Sequence, residues 1–327
     1  MNEIHRDAII IDGLIIAKWN RQVFEDMIAG GLTAANCTCA VWEGFVDTMS
    51  NIAEWKRWLA ENDDILLQVH GVDDIRRAKA EGRVGIILGW QNTFAIEGEL
   101  DRLRVFRDLG VRVMQLTYNT QNLVGAGCWE SKDNGLTDYG RDVVDEMNAL
   151  GIAIDLSHVG EATCWDALEH SSVPVAFTHC VPRGLLDMPR NKSDDLLKAV
   201  ADADGFVGFA PYGPFLPTGE DSTIDDCIQG MEYTINLVGE DAVGLGTDFT
   251  QGHDADFFTW LRSDKGTGRS LIKGFAGRPK NPTGLDGMKD YPNLTETMLG
   301  RGWPESRITK IMGGNWLRHF GAVWGNT

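Results

Sequence analysis

The sequence is poor in basic residues and in long apolar runs, and both shortages exclude classes of protein. Its 327 residues include 30 Lys and Arg against 48 Asp and Glu, which gives a formal net charge of −18. Nucleic acid and anionic membrane surfaces attract basic proteins, so we expect neither as a partner. No apolar run approaches the roughly 20 residues that a helix needs to cross a bilayer. The acidity is typical of the solvated surface of a soluble protein.

Cysteine is also scarce, with six residues scattered along the chain and no CxxC pair. This usage favours free, mostly buried thiols in a reducing cytoplasm over a disulfide framework. The opening segment MNEIHRDAIIID places charges before a short β-branched run, which is not the pattern of a signal peptide. We therefore expect a cytoplasmic protein.

Short apolar runs and amphipathic segments alternate from one end of the chain to the other. Roughly eight buried strands are predicted, the first of which is 8–12 and stops at Gly13. This alternation predicts an α/β fold, a single (β/α)₈ TIM-type barrel over residues 1–327. A doubly wound open sheet is the alternative, but no GxGxxG motif follows the first strand, so a dinucleotide-binding fold has little support.

A long loop, at about 250–292, precedes a C-terminal helical segment that ends in GGNWLRHF. The loop is long enough to be a lid or a dimer element, and equally compatible with plain surface. We place the other predicted strands at 32–42, 65–69, 84–90, 111–117, 152–156, 173–177, 205–210 and 242–246. The predicted helices include 21–29, 51–61, 72–81, 100–109, 139–150, 194–202 and 225–238.

The stretch from Ile152 to Cys180 is predicted to form strand, helix and strand, with His158 after the first strand and His179 after the second. A crossover of this kind makes the strands parallel, so both histidines lie at the carboxyl-terminal edge, where α/β proteins bind ligands. Two imidazoles on adjacent strand ends can share a metal ion. Histidines that only cap the strands are an equally weighted interpretation.

Other strand ends bring further polar residues to the same face. Arg190 is suited to hold a carboxylate with its two-pronged guanidinium, and Asp248 to accept a proton or pair with an amine. A buried Arg190–Asp248 salt bridge is the structural alternative. Tyr118 and Tyr212 each follow a predicted strand, whereas the other five histidines are isolated and are interpreted as surface or structural residues.

The motifs Ile11-Asp12-Gly13, LRVFRDLGVRVMQLTYN, DLSH, PRN, VGLGTDF and GGNWLRHF, in this order, resemble the membrane (renal) dipeptidase family of metallohydrolases. The resemblance covers nearly the whole chain and implies an amidohydrolase-like barrel. In that family two zinc ions, bridged by a glutamate, hydrolyse the amide of a dipeptide. One ion also takes His and Asp from an HxD motif, and the other takes two later histidines.

Half of that apparatus is retained in this chain. The resemblance implies that His158 and His179 are metal ligands, that Arg190 holds the substrate carboxylate, and that Asp248 is the catalytic general base. Tyr212 and Asn191, the latter within PRN, are implied to line the substrate pocket.

The other half is changed. Leu14 and Ile16 stand at the HxD positions and cannot ligate a metal, and Gln91 replaces the bridging glutamate. Gln91 is a neutral amide and a poor zinc ligand. Tyr118 replaces the family's substrate-polarising histidine. We therefore expect zero or one Zn²⁺ per chain, with Asp248 or Gln91 as the third candidate ligand.

Two functional hypotheses follow. The first is a hydrolase that cuts an amide or other C–N bond of a small carboxylate-bearing substrate, such as a dipeptide or a modified amino acid, with ordinary dipeptidase activity weak or absent. The second is a binding protein, or a metal-free enzyme, that recognises a small carboxylate on the same scaffold. The resemblance also implies a homodimer.

Overall fold

The strands of the protein form a nearly closed parallel barrel, in a computed structural model that describes residues 2–272 and 277–325. Neighbouring strands follow the order β1-β2-β4-β5-β6-β7-β8-β9, and β3 pairs only with β4. The strands are β1 Ile11–Ile15, β2 Ala34–Thr38, β3 Leu66–Gln68, β4 Val84–Trp90, β5 Val111–Gln115, β6 Ala153–Asp155, β7 Ala176–Cys180, β8 Phe206–Phe209 and β9 Val243–Leu245. The predicted (β/α)₈ fold is thereby confirmed, with one extra short strand.

Most of the helices pack around the outside of the barrel, as the apolar periodicity predicts. They are α1 Glu3–Asp7, α2 Arg21–Ala29, α3 Phe45–Glu61, α4 Val72–Glu81, α5 Arg102–Leu109, α6 Asp138–Leu150, α7 Glu161–His170, α8 Asp194–Asp202, α9 Ile224–Val238, α10 Ala255–Leu261, α11 Tyr291–Gly300, α12 Glu305–Thr309 and α13 Asn315–Trp324. Among these helices, none combines the length and the apolar character needed to cross a membrane.

Side chains as well as backbone close the barrel between β1 and β9. The backbone N–H of Asp248 donates to the Leu14 carbonyl at 3.0 Å. Across the same seam the Asp12 carboxylate accepts hydrogen bonds from the Thr247 N–H at 2.9 Å and the Thr247 hydroxyl at 2.5 Å. The Tyr291 hydroxyl donates to the same carboxylate. Asp12 is therefore the residue that joins the first strand to the last.

Two strands extend further than the sequence predicts. β1 does not stop at Gly13 but continues to Ile15, and β7 contains His179 instead of ending before it. Both strands carry a register irregularity, β1 between Asp12 and Ile15 and β7 between Phe177 and Cys180. Irregularities of this kind re-aim side chains near active sites, and a period-2 sequence pattern does not reveal them.

The amino-terminal end of the barrel is filled by α13 and by glycines that admit close packing. Trp316 of α13 donates from Nε1 to the Leu245 carbonyl at 2.8 Å. A Cβ on Gly13 would lie 2.4 Å both from the Thr178 carbonyl oxygen and from the Trp316 ring. Glycine at position 13 is therefore required by the space inside the barrel.

Two predicted boundaries are wrong for identifiable reasons. The helix predicted at 51–61 begins six residues earlier, at Phe45, where the Glu97 carboxylate accepts the first helical N–H at 2.9 Å. The loop predicted at about 250–292 contains α10, whose Asp254 side chain caps the Phe257 N–H at 3.1 Å. Residues 273–276 of that loop, residue 1 and residues 326–327 lie outside the described residues.

Candidate active site

A cavity of about 50 Å³ opens at the carboxyl-terminal end of the barrel strands and contains most of the predicted site. Five predicted residues line it: Tyr118, His158, Arg190, Tyr212 and Asp248. Aromatic side chains from the surrounding loops, among them Trp129, Phe215 and Phe258, form much of the remaining wall. These five residues, up to 130 positions apart in the sequence, thus lie together at the carboxyl-terminal face of the barrel, where barrel enzymes have their active sites.

The two predicted histidines face each other below this cavity. Nε2 of His158 lies 3.0 Å from Nε2 of His179. Nδ1 of His158 is 2.9 Å from Oδ1 of Asn119, and Nδ1 of His179 is 2.7 Å from the Thr178 hydroxyl. Because that hydroxyl donates to Asp155, it accepts from His179. Both Nδ1 atoms therefore carry the proton when the rings are neutral, and the two Nε2 lone pairs converge.

Burial keeps both imidazoles uncharged. Desolvation lowers the pKa of His158 and of His179 well below the ordinary value, and the Arg190 guanidinium lowers both further. Two neutral lone pairs at this separation repel each other unless a proton or a cation lies between them. The pair is therefore suited to receive one such charge.

Asp155 fixes the orientation of the histidine pair from behind. Its carboxylate accepts hydrogen bonds from the Ser157 N–H at 2.9 Å and the Thr178 N–H at 3.0 Å. The hydroxyls of Ser157 and Thr178 donate to it as well. This arrangement on β6 and β7 has the same form as the Asp12 arrangement on β1 and β9. Burial raises the pKa of Asp155, although the four hydrogen bonds act in the opposite direction.

Arg190 is a buried cation with free hydrogen-bond donors. Its side chain is 1% exposed, and Nη2 donates to the His179 carbonyl at 2.7 Å. Its guanidinium lies 5.0 Å from the centre of the Phe215 ring. Nε and Nη1 have no acceptor among the described residues. Among the described residues Arg190 forms no salt bridge with Asp248, so the structural alternative is not observed. The Nε and Nη1 groups are therefore available to a ligand anion.

Asp248 is a half-buried carboxyl group in a strained backbone conformation. Its φ of 55° lies in the left-handed region, which few residues other than glycine adopt. Burial raises its pKa from 3.8 to about 7, the nearby Arg190 opposes this, and Asp12 and Asp155 raise it further. A carboxyl group with this pKa can both accept and donate a proton near neutral pH.

An apolar cluster occupies the side of the pocket where the family resemblance implies the HxD ligands. Leu14 and Ile16 are 1% and 6% exposed. Ile16 belongs to the apolar wall, which we define as Ile16, Val41, Trp42, Tyr118 and Leu271. Tyr118 joins this wall to the histidines, since its ring stacks on His158 with centroids 4.2 Å apart. Leu14 and Ile16 therefore present hydrocarbon, not donor atoms, at the two positions where the resemblance implies metal ligands.

Gln91 and Asn191 lie outside the cavity. Nε2 of Gln91 donates to the Thr38 hydroxyl at 3.2 Å, which fixes the amide against β2. Nδ2 of Asn191 donates to the carbonyls of Leu186 and Phe215 at 2.8 and 3.1 Å. Asn191 Nδ2 therefore holds the loop that carries Phe215, and the substrate contact implied by the resemblance stays a prediction. In the described ranges no three His, Cys, Asp or Glu side chains are grouped as metal ligands.

The sequence interpretation missed the contribution of α10 and the segment after it. Phe258, Leu261, Arg262 and Ile272 line the cavity, and Arg262 is hydrogen-bonded to Tyr212. These residues follow the last strand by ten or more positions, so no strand-end rule assigns them. Asn119 was also given no role, although its place in the loop that follows β5 is a usable signal.

Comparison with known proteins identifies relatives of this chain. The profile of the membrane dipeptidase family, peptidase family M19, matches residues 18–258 and 270–325. The chain is 30% identical over 276 residues to the dipeptidase tcpJ of Claviceps purpurea, covering 83% of this chain and 59% of that protein. It is 32% identical over 248 residues to the uncharacterized dipeptidase C3A11.10c of Schizosaccharomyces pombe, covering 75% and 53%. The chain thus spans little more than half the length of these curated relatives.

Solved structures resemble the barrel over its full length. An amidohydrolase from Pseudomonas aeruginosa is 52% identical, with a TM-score of 0.96 and 99% of each chain covered. A metallopeptidase from Rhodobacter sphaeroides, bound to a phosphinate mimic of L-Ala-D-Ala, is 20% identical with a TM-score of 0.81, covering 97% of this chain and 100% of that one. The second likeness concerns the fold alone. Taken with the profile match, these relationships place the chain in the membrane dipeptidase family, peptidase family M19.

Proposed function

We propose that this chain is a hydrolase that cleaves an amide or other C–N bond in a small substrate bearing a carboxylate, such as a dipeptide or a modified amino acid. The observation that carries the proposal is the buried Arg190 guanidinium, whose Nε and Nη1 have no acceptor in the described structure, beside the Asp248 carboxyl. A buried cation without a counter-ion is costly, and a substrate carboxylate would supply the missing charge.

Arg190 would orient the substrate. Because Nη2 is already bound to the His179 carbonyl, the Nε and Nη1 groups are left to bind the carboxylate. Charge-assisted bonds of this type give both affinity and a fixed orientation. The aromatic rings of Tyr212 and Phe215, 4.6 Å apart, would exclude water from that contact.

Asp248 would move the proton. With a pKa of about 7, its carboxylate form can take a proton from an attacking water, and its acid form can return that proton to the leaving amine. His158, uncharged and fixed by Asn119, would contribute its Nε2 at the floor of the same cavity. These roles use residues that line a single pocket.

The residues present do not fit two metal ions. Leu14 and Ile16 provide no ligand atoms, and Gln91 is bound to Thr38. At most one ion fits, between the converging Nε2 atoms of His158 and His179, with positions left for water or substrate. When bound, such an ion would supply Lewis-acid polarisation of the scissile group.

A second candidate is a carboxylate-binding protein without catalytic activity. The apolar wall favours it, because that wall replaces the donor atoms of one half of the family's site. Arg190 and the aromatic lining would serve binding alone equally well. The two candidates differ in whether a bond is broken, so turnover separates them.

The decisive experiment is a screen of dipeptides, N-acyl amino acids and N-methyl amino acids for turnover by the purified chain, followed by Asp248→Asn and His158→Ala. The proposed hydrolase predicts that at least one substrate is cleaved and that each variant lowers kcat by about 100-fold or more. His170→Ala is the matched control, since His170 lies on α7 and pairs with Asp145 at the surface. Saturable binding of a carboxylate with no turnover across the panel would favour the binding protein.

A further inference from the structure

A second cavity, of about 190 Å³, lies on the other side of the apolar wall from the candidate active site. It is bounded by the loops after β1 and β2, by α3 and by α10. We call it the tryptophan cavity, because Trp19, Trp55, Trp58 and Trp260 line it together with Phe257. Trp55 packs against Trp19 and Trp58 with ring centroids 4.8 and 5.1 Å apart. Five aromatic side chains thus surround one small cavity, and none of them has a role in the proposed reaction.

The charged side chains that line this cavity are both acidic. The carboxylates of Glu43 and Glu54 belong to its lining, whereas no lysine or arginine does within residues 2–272 and 277–325. Glu54 pairs with Arg57 at 2.8 Å on the exposed side of α3. Glu43 accepts from the backbone N–H groups of Val41 and Trp42 and thereby holds its charge at the cavity rim. The lining is thus acidic, with the Arg57 guanidinium on the outer side of Glu54, whereas two arginines line the active-site cavity.

His253 adds a hydrogen-bond acceptor to the same lining. Its ring stacks on Phe257 with centroids 3.4 Å apart, and its other ring nitrogen donates to the Ala17 carbonyl. Nε2 is buried and has no partner among the described residues. Burial lowers the pKa of His253 to about 4, so Nε2 carries a lone pair at neutral pH. A ligand that satisfies this atom must present an N–H or O–H donor.

We propose that the tryptophan cavity binds a small primary or secondary ammonium ion, held by the aromatic faces, the two glutamates and an N–H donated to His253. Ammonium groups are attracted to the faces of tryptophan rings, and the attraction is strongest where the ring and the ion are shielded from water. A carboxylate ligand is excluded by Glu43 and Glu54. A quaternary ammonium ion lacks the donor that His253 requires.

The site is separate from the candidate active site but shares one helix with it. Phe257 and Trp260 of α10 line the tryptophan cavity, whereas Phe258 and Leu261 of the same helix line the active-site cavity. Ile16 and Val41 border the tryptophan cavity from the side of the apolar wall. The proposal does not depend on the proposed reaction, since no residue of the tryptophan cavity belongs to the proposed catalytic set.

Isothermal titration calorimetry of the full chain with n-butylammonium chloride at pH 7.5 tests the proposal. We expect one saturable site per chain, with n-butanol and tetramethylammonium each binding about 10-fold more weakly or worse. Glu54→Gln and Trp58→Ala should each weaken n-butylammonium binding about 10-fold. Arg190→Ala, in the other cavity, is the matched control and should leave the binding unchanged.

Several results would overturn the assignment. No saturable binding of n-butylammonium up to about 20 mM would do so, because useful recognition of such an ion corresponds to a millimolar Kd or better. Equal binding of n-butanol or of tetramethylammonium would contradict the ammonium class proposed. Loss of binding in Arg190→Ala together with full binding in Glu54→Gln would place the ion in the active-site cavity. Glu54 is half-buried on the surface of α3, so Glu54→Gln keeps the test informative if Trp58→Ala unfolds the chain.

Discussion

Nε2 of His158 lies 3.0 Å from Nε2 of His179, and each ring is anchored through its other nitrogen, to Asn119 and to Thr178. Both Nε2 atoms therefore present lone pairs to the same point. Because burial, and after it the nearby Arg190 guanidinium, lowers the pKa of both rings well below the ordinary value, a proton is not retained there at neutral pH. The proposed site therefore offers one small cation a pair of nitrogen ligands.

The metal content should accordingly be one ion per chain or fewer. We expect inductively coupled plasma mass spectrometry of protein purified without chelator to give at most one zinc per chain, and His179→Ala to remove it, because one imidazole cannot hold the ion alone. His170→Ala should retain the wild-type content. Two ions per chain would contradict the reduced site.

Replacing Arg190 with methionine should separate binding from stability. Loss of the two free N–H donors should weaken a carboxylate ligand about 100-fold, equivalent to about 3 kcal/mol. The thermal midpoint of the ligand-free protein should be unchanged or higher, because a buried cation without a counter-ion is replaced by an apolar side chain of similar size. Calorimetric titration measures the ligand affinity, and thermal unfolding measures the midpoint. A large fall in the midpoint would show that Arg190 is a structural residue.

Asp248 should make the protein less stable as the pH rises. Its pKa is about 7 in the folded state against 3.8 ordinarily, so the folded chain binds the additional proton between these values. The free energy of unfolding therefore falls as pH rises from about 4 to about 7, by at most about 4 kcal/mol from this residue. Asp248→Asn should flatten the profile in that window and be more stable than wild type above pH 7. Asp12 and Asp155 change the profile in the same direction but remain in both proteins, so urea unfolding of the pair isolates Asp248.

The seam residue Asp12 should be among the most sensitive positions for stability. Asp12→Ala leaves the N–H groups of Leu14 and Thr247 and two hydroxyls without their acceptor, so we expect a loss of about 3 kcal/mol or more. Thr247→Val, which removes one hydroxyl, should cost about 1–2 kcal/mol. Asp7→Ala is the surface control, with an exposed pair to Arg6 and an expected change below about 1 kcal/mol. Equal losses in Asp12→Ala and Asp7→Ala, measured in urea, would contradict the closing role.

The barrel was predictable because the same pattern, an apolar strand followed by an amphipathic helix, recurs along the whole sequence. Runs such as 84–90 are apolar throughout, and helices such as 72–81 have a polar and an apolar face, so the observed bounds of β4 and α4 match the predicted ones. The same strand-end reasoning brought His158, Arg190 and Asp248 to one face, and the structure places all three around one cavity.

The remaining errors have physical causes that a linear pattern does not contain. Gly13 resembles a strand terminator, but the space inside the barrel requires it there, and β1 continues past it. The part played by α10 depends on where the chain folds back after β9, and no local periodicity fixes that path.

The hydrogen bonds of Asp12 across the seam between β1 and β9 can form only late in translation. Thr247 lies 235 residues after Asp12 and Tyr291 lies 279 residues after it. At translation rates of about 5–20 residues per second, a nascent chain carries Asp12 for tens of seconds before either partner exists. During that time β1 has an unpaired edge, and the barrel is open on the side where β9 will later lie. Ring closure is therefore a late step in synthesis, and until β9 has been made the edge of β1 that faces it has no partner strand.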